Sequence, residues 1–338
     1  MSEFKNGAAI DTRPLSEKKK DFTSSEVVAS AAVVNWVEKT PAQWRKFPIF
    51  QQDGSGSCVA QTEAKEMGIM RFLKDGQYVH FSASDIYQRR SPKTPGMGAI
   101  NARQIVAEGV TLEVLSPSQN MSDAQMDAVV VEPYKREVGK VFMVPNYLEA
   151  PMRDIDAIAS TIQATGKGVM VWFFFEINEW TDRPAILNHS LTVDAGLRHS
   201  VTAVDFALVN GKKCLIIEDS WGTSFGIAGQ RVIDEDFFKV RNWYASYLIN
   251  FKFDDPVVSK PYHTFNTDME FGQTNDEVGA LQDCLKYEKL FPTNADSTGY
   301  FGALTKKAVI AFQAKYGIAQ VGRVGPTTRA KLNELYAN

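Results

Sequence analysis

The chain has 338 residues, 44% of them hydrophobic and 23% charged, with a formal net charge of −3 at pH 7. This composition is typical of globular proteins, and the length allows two hydrophobic cores. The negative net charge argues against a nucleic-acid partner, because phosphate binding needs clustered Lys and Arg. No apolar run approaches the roughly 20 residues of a membrane helix, so we expect no membrane insertion.

Residues 1–25 are polar and include three consecutive lysines at 18–20. They lack the basic start and apolar core of a classical signal peptide. A charged run of this kind is typical of a solvated segment, so we predict a flexible N-terminal arm. The arm is too short and too polar to form a separate inhibitory domain. We therefore expect the chain to be active as translated, without proteolytic maturation.

Residues 26–255 form one mixed segment in which helical patterns come first and strand patterns follow. Periodicity predicts helices at 57–72 and 101–107. The strand patterns are at 168–177, 200–209, 214–218 and 247–253. This order predicts an α+β domain in which the two classes of element are segregated.

The last part of the chain changes character. Residues 256–270 have no clear period and predict a linker, whereas 271–338 carry three amphipathic helix patterns. Residues 299–305 (GYFGALT) recur as 322–328 (GRVGPTT), each a glycine-bearing turn followed by a helix. Pro326 falls at the first residue of the second of these helices, where a missing N–H is tolerated. A repeated turn–helix unit predicts a small helical bundle.

The strongest chemical signal surrounds Cys58. Residues 52–58 (QDGSGSC) predict a tight loop, and a helix pattern begins directly after it. The unpaired N–H groups and the dipole of a helix N-terminus stabilise negative charge, so they favour the reactive thiolate. With three cysteines and no C-x-x-C pair, the sequence predicts neither a disulfide framework nor a zinc site. Cys214, in a strand, and Cys284, in a helix, are interpreted as buried structural residues.

A general base for this thiol is expected from His199. It precedes a strand that ends at Asn210-Gly211, a strong hairpin signal, and the returning strand ends at Asp219. Because a hairpin brings its two open ends together, His199 and Asp219 are predicted to be neighbours, which is the geometry of a base and its orienting partner. His189 is the alternative base, but it has neither the hairpin nor such a partner.

Three segments, GSGSCVA (54–60), RHSVTAVDF (198–206) and EDSWGTSFGIAG (218–229), resemble the signature blocks of the papain-like cysteine peptidases, with residues 45–250 covered. The resemblance implies a two-lobed fold, a helical lobe plus a β-barrel-like lobe, and no metal or cofactor. It assigns the nucleophile to Cys58, the general base and acid to His199, and an oxyanion donor to Gln52. Asp219 stands where the family usually has Asn.

The resemblance also implies a substrate-binding role for Gly96, Gly98 and Trp221. Trp221 resembles the indole that shields the contact between the histidine and its partner. The carboxylate of Asp219 should favour the imidazolium more strongly than an amide would. Ser55 and the absence of other cysteines remove the usual disulfides of secreted relatives, and Val59 replaces the usual aromatic residue after the nucleophile.

The tail resembles the three-helix peptidoglycan-binding domain found at the ends of many wall hydrolases. The matching positions are Val278, Leu281, Gln282, Leu285, Phe301, Gly302, Thr305, Ala308, Val309, Phe312, Gln313, Gly317, Gly322, Val324, Gly325, Thr328 and Leu332. The alternative is a bundle kept for stability or protein contacts, since most of these are core or turn positions.

The sequence therefore predicts an α+β papain-like domain at 26–255, a linker at 256–270 and a small all-α three-helix module at 271–338. The expected activity is hydrolysis of peptide bonds through a Cys-His-Asp triad and a thioester, targeted to the bacterial cell wall. The expected partners are a protein or peptide substrate and peptidoglycan, with a location in the wall, outside the cell or in a phage. The alternatives are a lysin that cuts peptidoglycan peptide stems and a non-catalytic attachment protein.

Overall fold

A computed structural model describes residues 8, 33–181, 183–186, 196–253, 260–292 and 297–337. The chain divides into two compact units, one formed by Met1–Val131 with Phe142–Lys252 and the other by Glu132–Val141 with Phe253–Asn338. No helix among the described residues is long and apolar enough to cross a bilayer.

Helices dominate the first part of the larger unit and strands its second part, as the sequence predicts. The helices are α1 Cys58–Asp75, α2 Ala83–Gln88, α3 Ala99–Ala107, α4 Asp123–Asp127, α5 Pro133–Gly139, α6 Ile155–Thr165, α7 Ile177–Thr181, α8 Glu235–Arg241, α9 Asp276–Tyr287, α10 Ala303–Lys315 and α11 Pro326–Tyr336, with a 3₁₀ turn at Pro41–Gln43. The strands are β1 Phe142–Met143, β2 Asn146–Glu149, β3 Val169–Phe174, β4 Arg198–Val209, β5 Lys212–Glu218, β6 Gln230–Asp234, β7 Asn242–Ile249 and β8 Lys252–Phe253.

An antiparallel sheet of six strands, in the order β2-β7-β3-β4-β5-β6, forms the centre of the larger unit. The predicted hairpin joins β4 to β5, with Val209 paired to Lys212. Asn210 and Gly211 both adopt positive φ, 53° and 75°, which is the conformation that a two-residue hairpin turn requires. The hairpin places the start of β4 beside the residue that follows β5.

Strand β4 is buried on both faces, and its side chains alternate between two sets of neighbours. Val201 belongs to the main core cluster together with Ile158 of α6. Ser200, one residue earlier, donates a hydrogen bond to Thr62 of α1 at 3.0 Å. The sheet thus separates α6 from α1, and residues 58–71 of α1 are all buried. Helix α1 ends at Asp75 and is capped by Gly76, whose left-handed φ of 77° is the conformation that glycine favours.

The smaller unit contains α9, α10 and α11, and the predicted repeat appears in its hydrogen bonds. The buried Gln282 of α9 accepts from the Gly299 N–H at 3.0 Å and donates to Thr305 Oγ1 at 3.0 Å. Gln313 of α10 makes the equivalent pair of bonds one repeat later, with the Gly322 N–H and Thr328 Oγ1, both at 3.0 Å. In each repeat, a glutamine side chain of the preceding helix thus fixes the glycine turn by two hydrogen bonds.

Part of the segment that the sequence assigns to the linker packs within the smaller unit. Phe265 is buried, and its backbone N–H donates to Asn333 Oδ1 at 2.7 Å. Met269 forms an antiparallel bridge with Val324. Aromatic and aliphatic side chains at these positions bury apolar surface against the bundle, which a purely local pattern does not reveal.

Candidate active site

Cys58 is the first residue of α1, as the sequence predicts. The loop before it is closed by hydrogen bonds: Ser55 Oγ donates to Gln52 O at 2.7 Å, and the Gln61 N–H donates to Ser57 O at 2.9 Å. Cys58 is only 1% exposed. The thiol thus lies at the N-terminus of a long buried helix, where backbone N–H groups have no partner within the helix.

His199, the second residue of β4, lies between the thiol and Asp219. Its Nε2 is 2.8 Å from Asp219 Oδ1, which leaves Nδ1 for the hydrogen bond with the Cys58 side chain. Burial opposes the imidazolium, but the charge of Asp219, together with the hydrogen bonds to Asp219 and Cys58, raises the pKa of His199 to about 9. The imidazole therefore holds its proton at neutral pH.

Asp219 also makes contacts that the sequence analysis did not identify. Its Oδ2 accepts a hydrogen bond from Trp180 Nε1 at 2.6 Å and lies 3.2 Å from Arg231 Nε. Burial opposes ionisation, but His199, Arg231 and the Trp180 N–H outweigh it and lower the pKa of Asp219. The carboxylate is thus held charged and in a fixed orientation.

Aromatic rings enclose the imidazole of His199. The ring centroids of Phe175, Trp180 and Trp221 lie 5.8, 5.4 and 5.5 Å from it, respectively. Trp221 is itself buried, which fits the shielding role that the sequence assigns to it. Rings in these positions exclude water from the contact between His199 and Asp219, so the charges interact in a medium of low polarity.

Gln52 is buried beside the same centre. Its Nε2 donates to Ser55 O at 2.6 Å, its Oε1 accepts from Ser220 Oγ at 2.5 Å, and its backbone N–H donates to Ser220 O at 2.8 Å. These bonds fix the amide plane between the loop before Cys58 and the residue after Asp219. One N–H of the Nε2 group remains for another acceptor.

Of the two glycines predicted to bind substrate, Gly96 lies beside the loop before Cys58. A Cβ on Gly56 would come within 2.8 Å of Gly96 N and 2.9 Å of Tyr87 Oη. The Gly96 N–H donates to Tyr87 Oη at 3.2 Å, Tyr87 Oη donates to Asp123 Oδ1 at 2.8 Å, and the Gly56 N–H donates to the same oxygen at 2.8 Å. Gly98 is the N-cap of α3. The Gly96 N–H is therefore already bonded within the chain.

Comparison with known proteins identifies the family of the chain. Residues 34–239 match the family described as papain family cysteine protease. The chain belongs to that family. Residues 274–332 match a second family, described as putative peptidoglycan binding domain. The protein is thus a papain-family cysteine peptidase with a peptidoglycan-binding domain at its C-terminal side.

Solved structures share the fold of this peptidase. Xylellain, a cysteine protease from Xylella fastidiosa, aligns with a TM-score of 0.58 at 17% identity, covering 74% of this chain and 96% of its own. Digestive procathepsin L 3 of Tenebrio molitor aligns with a TM-score of 0.53 at 18% identity, covering 72% and 76%. These matches confirm the predicted fold class.

Among curated proteins, an uncharacterised protein in the bpoA1 3′ region of Kitasatospora aureofaciens is 40% identical over 72 residues. That match covers 21% of this chain and 60% of the relative's length.

Ala8 is the one described residue of the N-terminal arm. It is 1% exposed and forms a parallel β-bridge with Met97, between Gly96 and Gly98. Ala8 therefore contacts the segment of backbone to which the family resemblance assigns substrate binding. The alternative base His189 lies outside the described residues.

The two other cysteines, Cys214 and Cys284, are also buried. Burial raises the pKa of Cys214 and of Cys284 to about 12, and nearby carboxylates add to the effect. Both thiols remain protonated at neutral pH and are poor nucleophiles. No group of three or more His, Cys, Asp or Glu side chains in the described part of the chain is arranged to hold a metal ion.

Trp180 and Arg231 are the neighbours of Asp219 that sequence reasoning missed. Trp180 lies in α7, a helix of five residues, and Arg231 lies on β6, twelve residues after Asp219. Neither belongs to the three blocks on which the family resemblance depends. The only sequence signal is that Arg231 directly precedes two apolar residues, Val232 and Ile233, because an arginine buried among such residues requires a counter-charge.

Proposed function

We propose that this peptidase cleaves peptide bonds through a Cys58 thioester, with His199 as general base and acid and Asp219 as its orienting partner. The observation that carries the proposal is the arrangement of Cys58, His199 and Asp219 around one buried imidazole, with Nε2 at 2.8 Å from Asp219 Oδ1. The thiolate and the imidazolium are the reactive forms, and the raised pKa of His199 supports them.

The reaction begins when Cys58 Sγ attacks the carbonyl carbon of the scissile bond. A tetrahedral oxyanion forms, and the N–H of Cys58 and the Gln52 amide are suited to stabilise it. His199 then gives its proton to the leaving amine, the C–N bond breaks and a thioester remains. His199 next takes a proton from water, which hydrolyses the thioester and releases the acid. Backbone at 96–98 is suited to pairing with an extended peptide, as Ala8 does with Met97.

The organisation that we propose keeps residues 26–255 as the peptidase domain and 271–338 as a wall-binding module, with 1–25 as an arm. Residues 256–270 connect the two domains, and Phe265 and Met269 of this segment pack on the helical module. The match of 274–332 to the putative peptidoglycan binding domain supports a location at the bacterial wall. It also favours a second candidate substrate, the peptide stems of peptidoglycan. No part of the proposed chemistry requires a metal ion or cofactor.

One experiment tests the chemistry and separates the substrates. The full-length protein is incubated with casein and, separately, with purified sacculi, and released amines are measured. Cys58→Ala should abolish release, whereas Cys214→Ala, a matched change at a buried thiol, should retain it. Equal activity of the Cys58→Ala protein would refute the proposal. Release from sacculi alone would identify the peptide stems as substrate, and release from casein alone would identify a protein substrate.

Binding to the wall needs its own measurement. Residues 260–338 include Phe265 and Met269, which pack on the helical bundle, so a fragment beginning at 260 should fold more completely than one beginning at 271. We expect this fragment to sediment with sacculi. A folded fragment that remains in the supernatant would contradict wall binding.

A further inference from the structure

Asp219 is held between two buried cations. His199 Nε2 lies 2.8 Å from Oδ1, and Arg231 Nε lies 3.2 Å from Oδ2. The side chains of both Asp219 and Arg231 are completely buried. The other contacts of the carboxylate are neutral donors, the Trp180 indole N–H and the Ser220 N–H. A carboxylate in this position carries a full charge that solvent does not screen.

The other contacts of Arg231 are with neutral groups. Its Nη1 donates to the backbone carbonyl of Trp180 at 3.0 Å, and its guanidinium carbon lies 4.9 Å from the centroid of the Trp180 ring. Among the described residues, Asp219 is the one carboxylate within ion-pair distance of Arg231. Since an isolated buried guanidinium is strongly unfavourable, Arg231 and Asp219 form a unit of opposite charges.

We propose that Arg231 is a positioning residue of this active site, which neutralises the buried carboxylate of Asp219 so that the thiolate–imidazolium pair forms in a site without net charge. With Cys58 and Asp219 negative and His199 and Arg231 positive, the four charges sum to zero. The inference rests on the proposed function, because it assumes that Cys58 and His199 react as an ion pair.

The charges of Asp219 and Arg231 determine the pH at which the imidazolium of His199 loses its proton. Without Arg231, the unbalanced carboxylate holds the proton of His199 more tightly, so the imidazolium gives it up at higher pH. Without the charge of Asp219, Arg231 repels the imidazolium, which then loses its proton at lower pH. Lys65 and Glu218 line the same small cavity as Asp219, but they are paired with each other at 2.7 Å.

The test compares Arg231→Met, Asp219→Asn and the double variant in the full chain. The rate of alkylation of Cys58 by iodoacetamide is measured from pH 5 to 11, and its upper inflection reports loss of the imidazolium proton. We expect this inflection to rise by about one pH unit in Arg231→Met and to fall by about one unit in Asp219→Asn. The double variant should lie between the two.

Hydrolysis of casein or sacculi gives a second readout. Each single change should lower kcat/KM about tenfold or more, and the double variant should lose less than the product of the two losses. An unmoved upper inflection in Arg231→Met, or multiplicative losses in the double variant, would overturn the inference. If Arg231→Met does not fold, the comparison of Asp219→Asn with the double variant decides, because adding Arg231→Met must move the inflection upwards.

Arg241→Met is the matched control. Arg241 is equally buried and pairs with Glu179 at 2.6 Å rather than with Asp219. Arg241→Met should lower the melting temperature without moving the upper inflection. If Arg241→Met moves the inflection as far as Arg231→Met does, the shift reflects the loss of any buried cation, and the inference about Arg231 is overturned. Slow alkylation of wild-type Cys58 at neutral pH would instead contradict the proposed function, which separates the two failures.

Discussion

The ion pair between Lys65 and Glu218 offers a direct test of how charge is stabilised beneath the active site. Lys65 Nζ lies 2.7 Å from Glu218 Oε2, and the two side chains are 3% and 0% exposed. Glu218 Oε1 also accepts from the Phe47 N–H at 2.7 Å and from Gln230 Nε2 at 3.2 Å. Lys65→Met keeps most of the length of the side chain but leaves this carboxylate hydrogen-bonded to neutral donors only.

The expected cost follows from the burial of both groups. Removing one partner of a buried pair destabilises a protein by about 3–5 kcal/mol, because the remaining charge is left without compensation. The double variant Lys65→Met with Glu218→Gln removes both charges, and the amide oxygen of Gln still accepts from the Phe47 N–H. We expect the double variant to lie within about 1.5 kcal/mol of the parent protein.

Unfolding by urea, in a Cys58→Ala background that prevents self-cleavage, measures both values. All six tryptophans lie between residues 36 and 243, so their fluorescence reports the peptidase unit and not the helical module. A loss below about 1 kcal/mol for Lys65→Met would refute the reasoning, since a buried carboxylate without a counter-charge costs more. A double variant as unstable as the single one would refute it equally.

Three further predictions follow from other contacts. Burial raises the pKa of Glu66 to about 8, although the charge of Arg103 opposes this shift. Ionisation of Glu66 therefore destabilises the folded state, so the stability present near pH 5 should be lost as the pH rises through 8. Glu66→Gln should reduce the difference between the melting temperatures at pH 5 and pH 9. Since Ala8 pairs with Met97, a chain beginning at Ser25 should be alkylated faster at Cys58 than the full chain. Equal rates would instead support the expectation of an arm without inhibitory effect. Gln313→Leu should lower the melting temperature of the module by roughly 5–10 °C, because it leaves the Gly322 N–H unpaired, and an unchanged melt would show that this turn forms without the glutamine.

The parts of the site that local patterns specify were predictable from the sequence. The loop of small residues before a helix placed Cys58 at α1, and the Asn210-Gly211 turn placed His199 next to Asp219. Both depend on neighbours in the chain or on a single hairpin. The roles of these residues remain predictions, whereas their proximity is a property of the fold.

The remaining contacts depend on which strands become neighbours and on how deeply a helix is buried. Arg231 reaches Asp219 only because β6 pairs with β5, with Glu218 opposite Gln230. Lys65 and Glu66 belong to a helix whose charged residues would ordinarily face solvent, yet residues 58–71 of α1 are all buried. Pattern rules assign charged residues to the surface, so a core that buries paired charges is not visible to them.

Hydrogen bonds of Tyr87 and Asp123, and not a disulfide, hold the loop before Cys58 against Gly96. All three cysteines of the chain are free thiols, which has a practical consequence for handling the enzyme. Reductants that keep the nucleophile out of the sulfenic or mixed-disulfide state therefore have no structural bond to break. Activity should rise with dithiothreitol to a plateau rather than pass through an optimum, and the enzyme should store well under strong reduction.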